Sequence, residues 1–291
     1  METPVKSNPS PDRGRTVKAL LHGNELPRLE LTMLLSYALG IARAALLAHP
    51  ETLVAEAKAA QFRELVERRL AGEPIAYLVG KREFHGLELR VGPDVLIPRP
   101  ETELLVDAVL ERIPAAAHCS ILDLGTGSGA IALAIAHRRP AVRIIATDIS
   151  GPALAVAAAN AHALGIANVA FVESDWYAAL APGRFDLIAS NPPYVAEGDP
   201  HLDAGDLRFE PKIALASGAD GLAAVRSVVG GARSRLRPGG WLLIEHGYDQ
   251  AERCRRLFDE AGLIAVSTLR DLAGIDRVCC GRLPGGPESA S

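Results

Sequence analysis

Asn191-Pro192-Pro193-Tyr194 directly follows the apolar run from Phe185 to Ser190. A short apolar run bounded by turn residues reads as a buried strand. The tetrapeptide therefore falls at a strand's carboxyl end, where open α/β sheets place their ligands. Two successive prolines fix φ and remove two backbone donors. The Asn191 side-chain oxygen, the Pro192 carbonyl and the flat Tyr194 ring then form an acceptor pocket. It suits a planar NH2 group, as in an amide or an exocyclic base amine. The same four residues also occur as a plain proline turn, so their meaning depends on the motifs around them.

A second cluster, Asp123-Leu124-Gly125-Thr126-Gly127-Ser128-Gly129-Ala130, runs from a strand into a helix. Glycine permits a sharp turn and close backbone approach, and the helix start offers N–H groups to a ligand carboxylate or phosphate. Gly125, Gly127 and Ala130 also satisfy the looser dinucleotide pattern G-x-G-x-x-A. Asp148 ends the next strand, nineteen positions beyond Gly129. A carboxylate there accepts hydrogen bonds from both hydroxyls of a ribose, whether of NAD or of S-adenosylmethionine. Asp175 and Trp176 follow the third strand and suit an adenine's amino group and ring face. Each aspartate alone is an ordinary turn or cap residue; their placement at successive strand ends argues for a site. A nicotinamide enzyme would need a proton relay and a second substrate domain, and no relay is visible downstream. An adenosine site paired with an amine pocket points instead to methyl transfer from S-adenosylmethionine.

Holding these residues together takes alternating strands and helices. Strands are expected over Ser120 to Leu124, Val142 to Thr147, Val169 to Glu173, Phe185 to Ala189 and Trp241 to Glu245. Leu263 to Leu269 and Arg277 to Arg282 form a final pair. Helices are expected over Gly129 to His137, Pro152 to Leu164, Gly221 to Leu236 (ended by Arg237-Pro238-Gly239-Gly240) and Gln250 to Ala261. This is an α/β pattern: a mostly parallel, seven-stranded sheet with helices on both faces, its last strand free to be antiparallel. Upstream, Val17 to about Gly72 is helical. Leu29, Leu31, Met33, Leu34, Leu35, Tyr37 and Leu39 form one apolar stripe; Phe62, Leu65, Val66 and Leu70 form another. Ile75 to Val91 reads as a hairpin connector. Pro100, Glu101 and Glu103 suit a helix start. The organisation is a tail at 1–15, a helical domain at 16–72, a connector at 73–96, an α/β domain at 97–284 and a tail at 285–291.

With 291 residues, 48% of them hydrophobic, the chain can bury a large core without disulfides. Its four cysteines form no C-x-x-C pair, which fits a reduced compartment and no metal site. Cys279 and Cys280, if on a strand, point to opposite faces. No run approaches a membrane span and no signal peptide is apparent, so a cytoplasmic protein is expected. A net charge of -4 argues against a general grip on nucleic acid. Lys81-Arg82 and Arg233 to Arg237 are either local basic patches or solvated faces. His85, His201 and His246 read as structural.

Taken together, these residues resemble the glutamine N5-methyltransferases of peptide-chain release factors, the PrmC or HemK family. The resemblance covers Glu73 to Tyr77, Lys81 to Phe84, Ile97 to Glu103, Asp123 to Ala130, Ser174 to Trp176 and Asn191 to Tyr194. It extends over His201-Leu202, Arg208-Phe209-Glu210-Pro211 and Glu245-His246-Gly247. The amine-pocket motif is shared with adenine and guanine methyltransferases; the connector and the Arg-Phe-Glu-Pro segment are more specific. No presumed functional position departs from the pattern, and the amino-terminal helices match in character and size. The resemblance implies a Rossmann-like class I methyltransferase domain behind a small helical domain. It implies S-adenosylmethionine as donor and, as acceptor, the glutamine amide of a release factor's Gly-Gly-Gln loop. From composition and charge no membrane and no direct nucleic-acid partner are expected, and a monomer is expected because nothing suggests an obligate dimer. Gly125 to Gly129, Asp148, Asp175, Trp176 and Asn191 would contact the cofactor; Asn191, Pro192, Pro193 and Tyr194 would hold the glutamine. The rivals are a nucleic-acid amine methyltransferase, a non-catalytic adaptor and, more distantly, a dehydrogenase.

Overall fold

Apolar periodicity switches from helical to alternating near residue 80, and the chain divides there. The computed structural model describes residues 15–114 and 118–285, which fall into two units separated between Val79 and Gly80. Apart from Arg15 and Gly285, the expected tails lie outside the described residues.

In the first unit, β1 (Arg15–Thr16) pairs antiparallel with β2 (Leu53–Val54). Around them stand α1 (Val17–Leu21), α2 (Arg28–Leu39), α3 (Arg43–Ala48), α4 (Glu56–Leu70) and α5 (Ile75–Val79). Leu31, Leu34, Leu35 and Ala38 of α2 pack with Phe62, Leu65 and Val66 of α4 in one core. Leu29, Tyr37 and Leu70, counted in the expected stripes, are exposed. Leu29 and Tyr37 lie off the i, i+3, i+4 face that their neighbours share, whereas Leu70 lies on that face but is the last residue of α4. The two-residue strands were not foreseen, being too short to carry a period.

The second unit opens with a hairpin, β3 (Lys81–Phe84) and β4 (Leu87–Arg90). The expected hairpin began at Ile75, but Ile75–Val79 is helical. The turn places both His85 (φ 50°) and Gly86 (φ 77°) in the left-handed region, as tight hairpins require. The strained His85 is held by its N–H, which donates to Glu103 at 2.8 Å, and by its ring against Asp107 at 2.9 Å. A 3-10 turn (Pro100–Thr102) leads into α6 (Glu103–Arg112).

Then come β5 (Ser120–Leu124), α7 (Ala130–Arg138), β6 (Arg143–Asp148), α8 (Gly151–Leu164), β7 (Val169–Glu173) and β8 (Phe185–Ser190). After three 3-10 turns follow α9 (Ala223–Arg235), β9 (Leu236–Glu245), α10 (Ala251–Glu260), β10 (Ile264–Arg270) and β11 (Asp276–Arg282). The seven-stranded sheet runs β10-β11-β9-β8-β5-β6-β7. β11 is antiparallel to both its neighbours; the β9-β8-β5-β6-β7 pairings are all parallel. Strand alternation sends Ile121, Leu187, Leu243 and Cys280 to one core, and Leu122, Ile188, Leu242 and Cys279 to the other. The adjacent cysteines do face opposite sides. Each large side chain so buried contributes roughly 1.5–3 kcal/mol.

One expected boundary moves. Arg237-Pro238-Gly239-Gly240 does not terminate α9 but lies inside β9, where the register jumps from Phe185–Leu236 to Leu187–Trp241. Pro238 has no N–H for a ladder, so the strand bulges. A Cβ on Gly240 would come within 2.9 Å of the Arg237 carbonyl oxygen, so only glycine fits the bend.

Candidate functional site

Strand order reverses between β5 and its neighbours β6 and β8, and the cleft outside their carboxyl ends is where such sheets bind ligands. A cavity of about 340 Å³ opens there. Gly125, Gly127, Asp148, Asp175, Trp176, Asn191 and Pro193 all border it. Residues from four different strand ends thus converge, as their spacing suggested.

The glycine loop is tied to β6 rather than left open. Gly125 and Thr126 donate their N–H groups to the Thr147 carbonyl at 2.9 and 2.8 Å, and Gly129 donates to Thr126 O at 2.8 Å. Gly127 N–H donates to Asp148 Oδ2 at 2.8 Å. Four amides expected to face a ligand anion are consumed within the fold. Gly125 (φ 72°) and Gly127 (φ 54°) still bring bare backbone to the cavity wall. Thr126, Ser128 and Gly129 are not on that wall. The Thr126 hydroxyl donates to Asp123 Oδ2 at 2.6 Å. The Ser128 carbonyl accepts from Asn160 Nδ2 at 2.9 Å, and a Cβ on Gly129 would press within 3.0 Å of Leu133. Asn160 also pairs with both backbone groups of Arg90, at 2.7 and 3.0 Å, so α8 anchors hairpin and loop together.

Asp148 accepts one backbone bond on each oxygen: Gly127 N–H on Oδ2 and Ser150 N–H, at 2.9 Å, on Oδ1. A carboxylate has about four lone-pair sites, so each oxygen keeps one for a ligand hydroxyl. Trp176 sits at φ 48°, a strained value for a non-glycine residue. Ser174 braces it, donating its hydroxyl to the Trp176 carbonyl at 2.9 Å and accepting from Ala179 N–H at 3.0 Å. The indole packs beside Gly125, whose added Cβ would lie 3.8 Å from the ring. An acid with spare acceptors, an indole and bare glycine backbone around one cavity match the ribose, base and chain of an adenosyl cofactor. Among the described residues no group of three or more His, Cys, Asp or Glu is arranged to hold a metal.

Asn191 carries the polar end of the amine motif. Its Nδ2 donates to Thr102 Oγ1 at 3.1 Å, which leaves Oδ1 as the acceptor it brings to the cavity. Pro193 also borders the cavity, whereas Pro192 is buried and Tyr194 is half-buried off the wall. Burial, with the Glu245 charge adding to it, pushes the Tyr194 hydroxyl upward, so the ring stays neutral. Gln250 fixes the tetrapeptide from behind. Its Nε2 donates to the Tyr194 carbonyl at 2.9 Å while its Oε1 accepts from Gly247 N–H at 2.9 Å. Gly221 sits at φ 73°, outside the helical region, so the helix expected from it starts only at Ala223, and a Cβ there would fall 2.4 Å from that same Tyr194 oxygen.

Several contributors went unassigned in the sequence. Asp94 to Leu96, Pro211, Ile213 and Ser217 border the cavity. Glu210, fully buried, ties two loops by accepting from Ile97 N–H at 2.9 Å and from Arg99 Nη2. Glu245, at the end of β9, is buried and raised to about 7 by that burial. Its signal was the one that marked Asp148: a polar residue closing an apolar strand. The basic runs are committed locally: Lys81 pairs with Glu88 at 2.7 Å, Arg237 with Asp186 at 2.8 Å, and Arg235 donates to the Ala181 carbonyl at 2.8 Å.

The strand order, the glycine loop beside the switch point and the acid at the next strand's end define a Rossmann-like class I methyltransferase. Residues 101–209 match the methyltransferase small domain and residues 15–80 the PrmC N-terminal domain. The release factor glutamine methyltransferase of Bordetella pertussis is 54% identical over 268 residues, covering 92% of this chain and 99% of its own. That of Escherichia coli is 46% identical, covering 90% and 94%. In fold the chain is similar to a T. thermophilus 16S rRNA N2 G1207 methyltransferase solved with AdoMet and guanosine. The TM-score is 0.54 at 23% identity, over 70% of this chain and 49% of that one. The chain belongs to the release factor glutamine methyltransferase family.

Proposed function

We propose that this protein transfers a methyl group from S-adenosylmethionine to the side-chain amide nitrogen of the glutamine in the Gly-Gly-Gln loop of peptide-chain release factors. The observation that carries the reading is the single cavity shared by Asp148, Trp176 and Asn191, in a chain about half identical to enzymes named for this reaction. The cofactor, when bound, supplies an electrophilic methyl on a sulfonium. Asp148 takes the ribose hydroxyls, Trp176 and Asp175 the adenine, and Gly125 and Gly127 let the cofactor's chain approach; Thr126, Ser128 and Gly129 hold the loop's shape.

An amide nitrogen is a poor nucleophile because its lone pair is shared with the carbonyl. Asn191 Oδ1 and the Pro192 carbonyl accept its two N–H bonds and turn the nitrogen toward the methyl carbon. Such positioning supplies roughly 7–11 kcal/mol in favourable cases. Positive charge growing on nitrogen would strengthen both bonds; the new C–N bond replaces the donor's methyl C–S bond, leaving S-adenosylhomocysteine, and one N–H proton would pass to solvent. Pro193 shapes the pocket's wall and helps keep water out, with Tyr194, off that wall, as the next residue of the tetrapeptide. The enzyme acts as a cytoplasmic monomer on a protein loop, without direct contact to nucleic acid. The commitment of Arg235 and Arg237 to local partners supports this. Among the described residues no helix is long and apolar enough to cross a membrane.

Mass spectrometry of a purified release factor after incubation with enzyme and donor tests the reading: one methyl on the glutamine is expected. Asn191→Ala should abolish that methylation while S-adenosylhomocysteine still binds. Methylated adenine or guanine with an unmodified release factor, or full turnover by Asn191→Ala, would overturn it.

A further inference from the structure

Methyl transfer to an amide requires Asn191 to present its oxygen, not its nitrogen, to the incoming NH2. The two ends of a carboxamide are nearly the same size, so packing does not choose between its two orientations; hydrogen bonds do. The choice is made behind the cavity wall. Thr102, 4% exposed, accepts from Asn191 Nδ2 at 3.1 Å. A hydroxyl has one hydrogen, so Thr102 is free to donate it onward.

Parallel register sets Ser190 beside Ile244, so the next residues, Asn191 and Glu245, leave their strands side by side. Glu245 is 1% exposed and its Oε2 has no hydrogen-bond partner. Burial raises its carboxyl to about 7. The neighbouring Thr102 side chain, the Arg277 charge and the Asn191 side chain pull it back, while Glu101 pushes it up. Tyr194 also feels its charge. A buried carboxyl with an orphan oxygen costs stability, and neither the cavity lining nor the core packing uses it. Its effect is electrostatic. An ionised carboxylate only accepts, so it draws the Thr102 hydrogen and the Asn191 nitrogen toward itself and repels Asn191 Oδ1.

We propose that Glu245, acting with Thr102, is a positioning residue that holds the Asn191 carboxamide with its oxygen toward the acceptor glutamine. This rests on the role given to Asn191 above. Because only the ionised form is a pure acceptor, turnover rises with pH through the range where Glu245 loses its proton.

Steady-state kinetics with an intact release factor and S-adenosylmethionine tests it on Thr102→Val, Thr102→Ser, Glu245→Gln and Asn191→Ala, each checked by S-adenosylhomocysteine titration. Thr102→Val should lower kcat by about tenfold or more, with KM for the release factor and inhibitor affinity within about threefold of wild type. Thr102→Ser should restore turnover. Glu245→Gln should lower kcat and remove the rise near pH 7, a change that simple loss of packing would not produce. Wild-type kcat in both Thr102→Val and Glu245→Gln, beside an inactive Asn191→Ala, would overturn this inference and leave the proposed reaction standing. So would a loss of kcat matched by an equal loss of inhibitor affinity. Full turnover by Asn191→Ala would overturn both.

Discussion

Replacing Asp148 by Asn removes one acceptor from a group that uses both of its oxygens. Oδ2 takes Gly127 N–H at 2.8 Å and Oδ1 takes Ser150 N–H at 2.9 Å. Asparagine turned either way sets an NH2 group against one of these donors. One backbone N–H then loses its partner, and one ribose hydroxyl loses its acceptor. The loss of one hydrogen bond to a charged group costs about 1.5–3 kcal/mol, or about 10- to 150-fold in dissociation constant at roughly 1.4 kcal/mol per decade. The unpartnered amide costs about 1–2 kcal/mol of stability, a fall in Tm of roughly 2–8 °C for a domain of this size. Isothermal titration with S-adenosylhomocysteine measures the first and calorimetric melting the second. NAD, titrated in parallel, should give no heat. An inhibitor affinity within about threefold of wild type, in a variant that melts cooperatively, would refute the assignment of Asp148 to the ribose.

Two further outcomes follow from burial. Asp123 and Glu245 are both raised to about 7 by burial, so the folded state holds their protons more tightly than the unfolded chain does. Their contribution to stability is therefore largest below about pH 4 and declines as pH rises toward 7. Buried His246 is lowered and opposes this trend up to about pH 6.5. The sign is isolated by comparison: Asp123→Asn or Glu245→Gln should flatten the fall in Tm between pH 5 and 7 relative to wild type, and an unchanged slope in both would contradict it. Separately, a Cβ on Gly231 would stand 2.3 Å from the Tyr177 ring, whose hydroxyl donates to Val228 O at 2.7 Å. Gly231→Ala gains about 1 kcal/mol of helix propensity but overpacks by about 1–3 kcal/mol. Urea unfolding should show net destabilisation together with weaker inhibitor binding, since Tyr177 adjoins Trp176.

The strand-helix alternation was legible because each βα unit changes hydrophobic period, and the seven strands of the large sheet lie over the apolar runs of the sequence. Part of the cavity lining was legible for the same reason: Asp148 closes a strand and Asp175 follows one. What escaped was set by the third dimension. Thr102 gives no sign of its role, since it meets Asn191 across 89 positions of sequence. Gln250 reaches Tyr194 across 56. The Arg237 to Gly240 stretch misled because proline and glycine mark helix ends and strand bulges alike. At Tyr194 the carbonyl, which accepts from Gln250 Nε2 at 2.9 Å, is fixed by a residue that no local motif announces.

The glycine loop shows why the same motif does not imply the same ligand. A dinucleotide's pyrophosphate is bound by backbone N–H groups left over at a helix start. In this loop Gly125, Thr126, Gly127 and Gly129 spend theirs on Thr147, Asp148 and Thr126, so the turn is already neutralised from within. An anionic diphosphate placed there would meet carbonyls and the Asp148 carboxylate rather than donors. A ligand with a cationic centre would instead find them favourable. The glycines then serve close approach alone, and the acid at the end of β6 both closes the loop and repels phosphate. An acid at the end of β6 suits the ribose of either cofactor, so it is the internally satisfied loop, rather than Asp148 or the glycine count, that argues against a dinucleotide here.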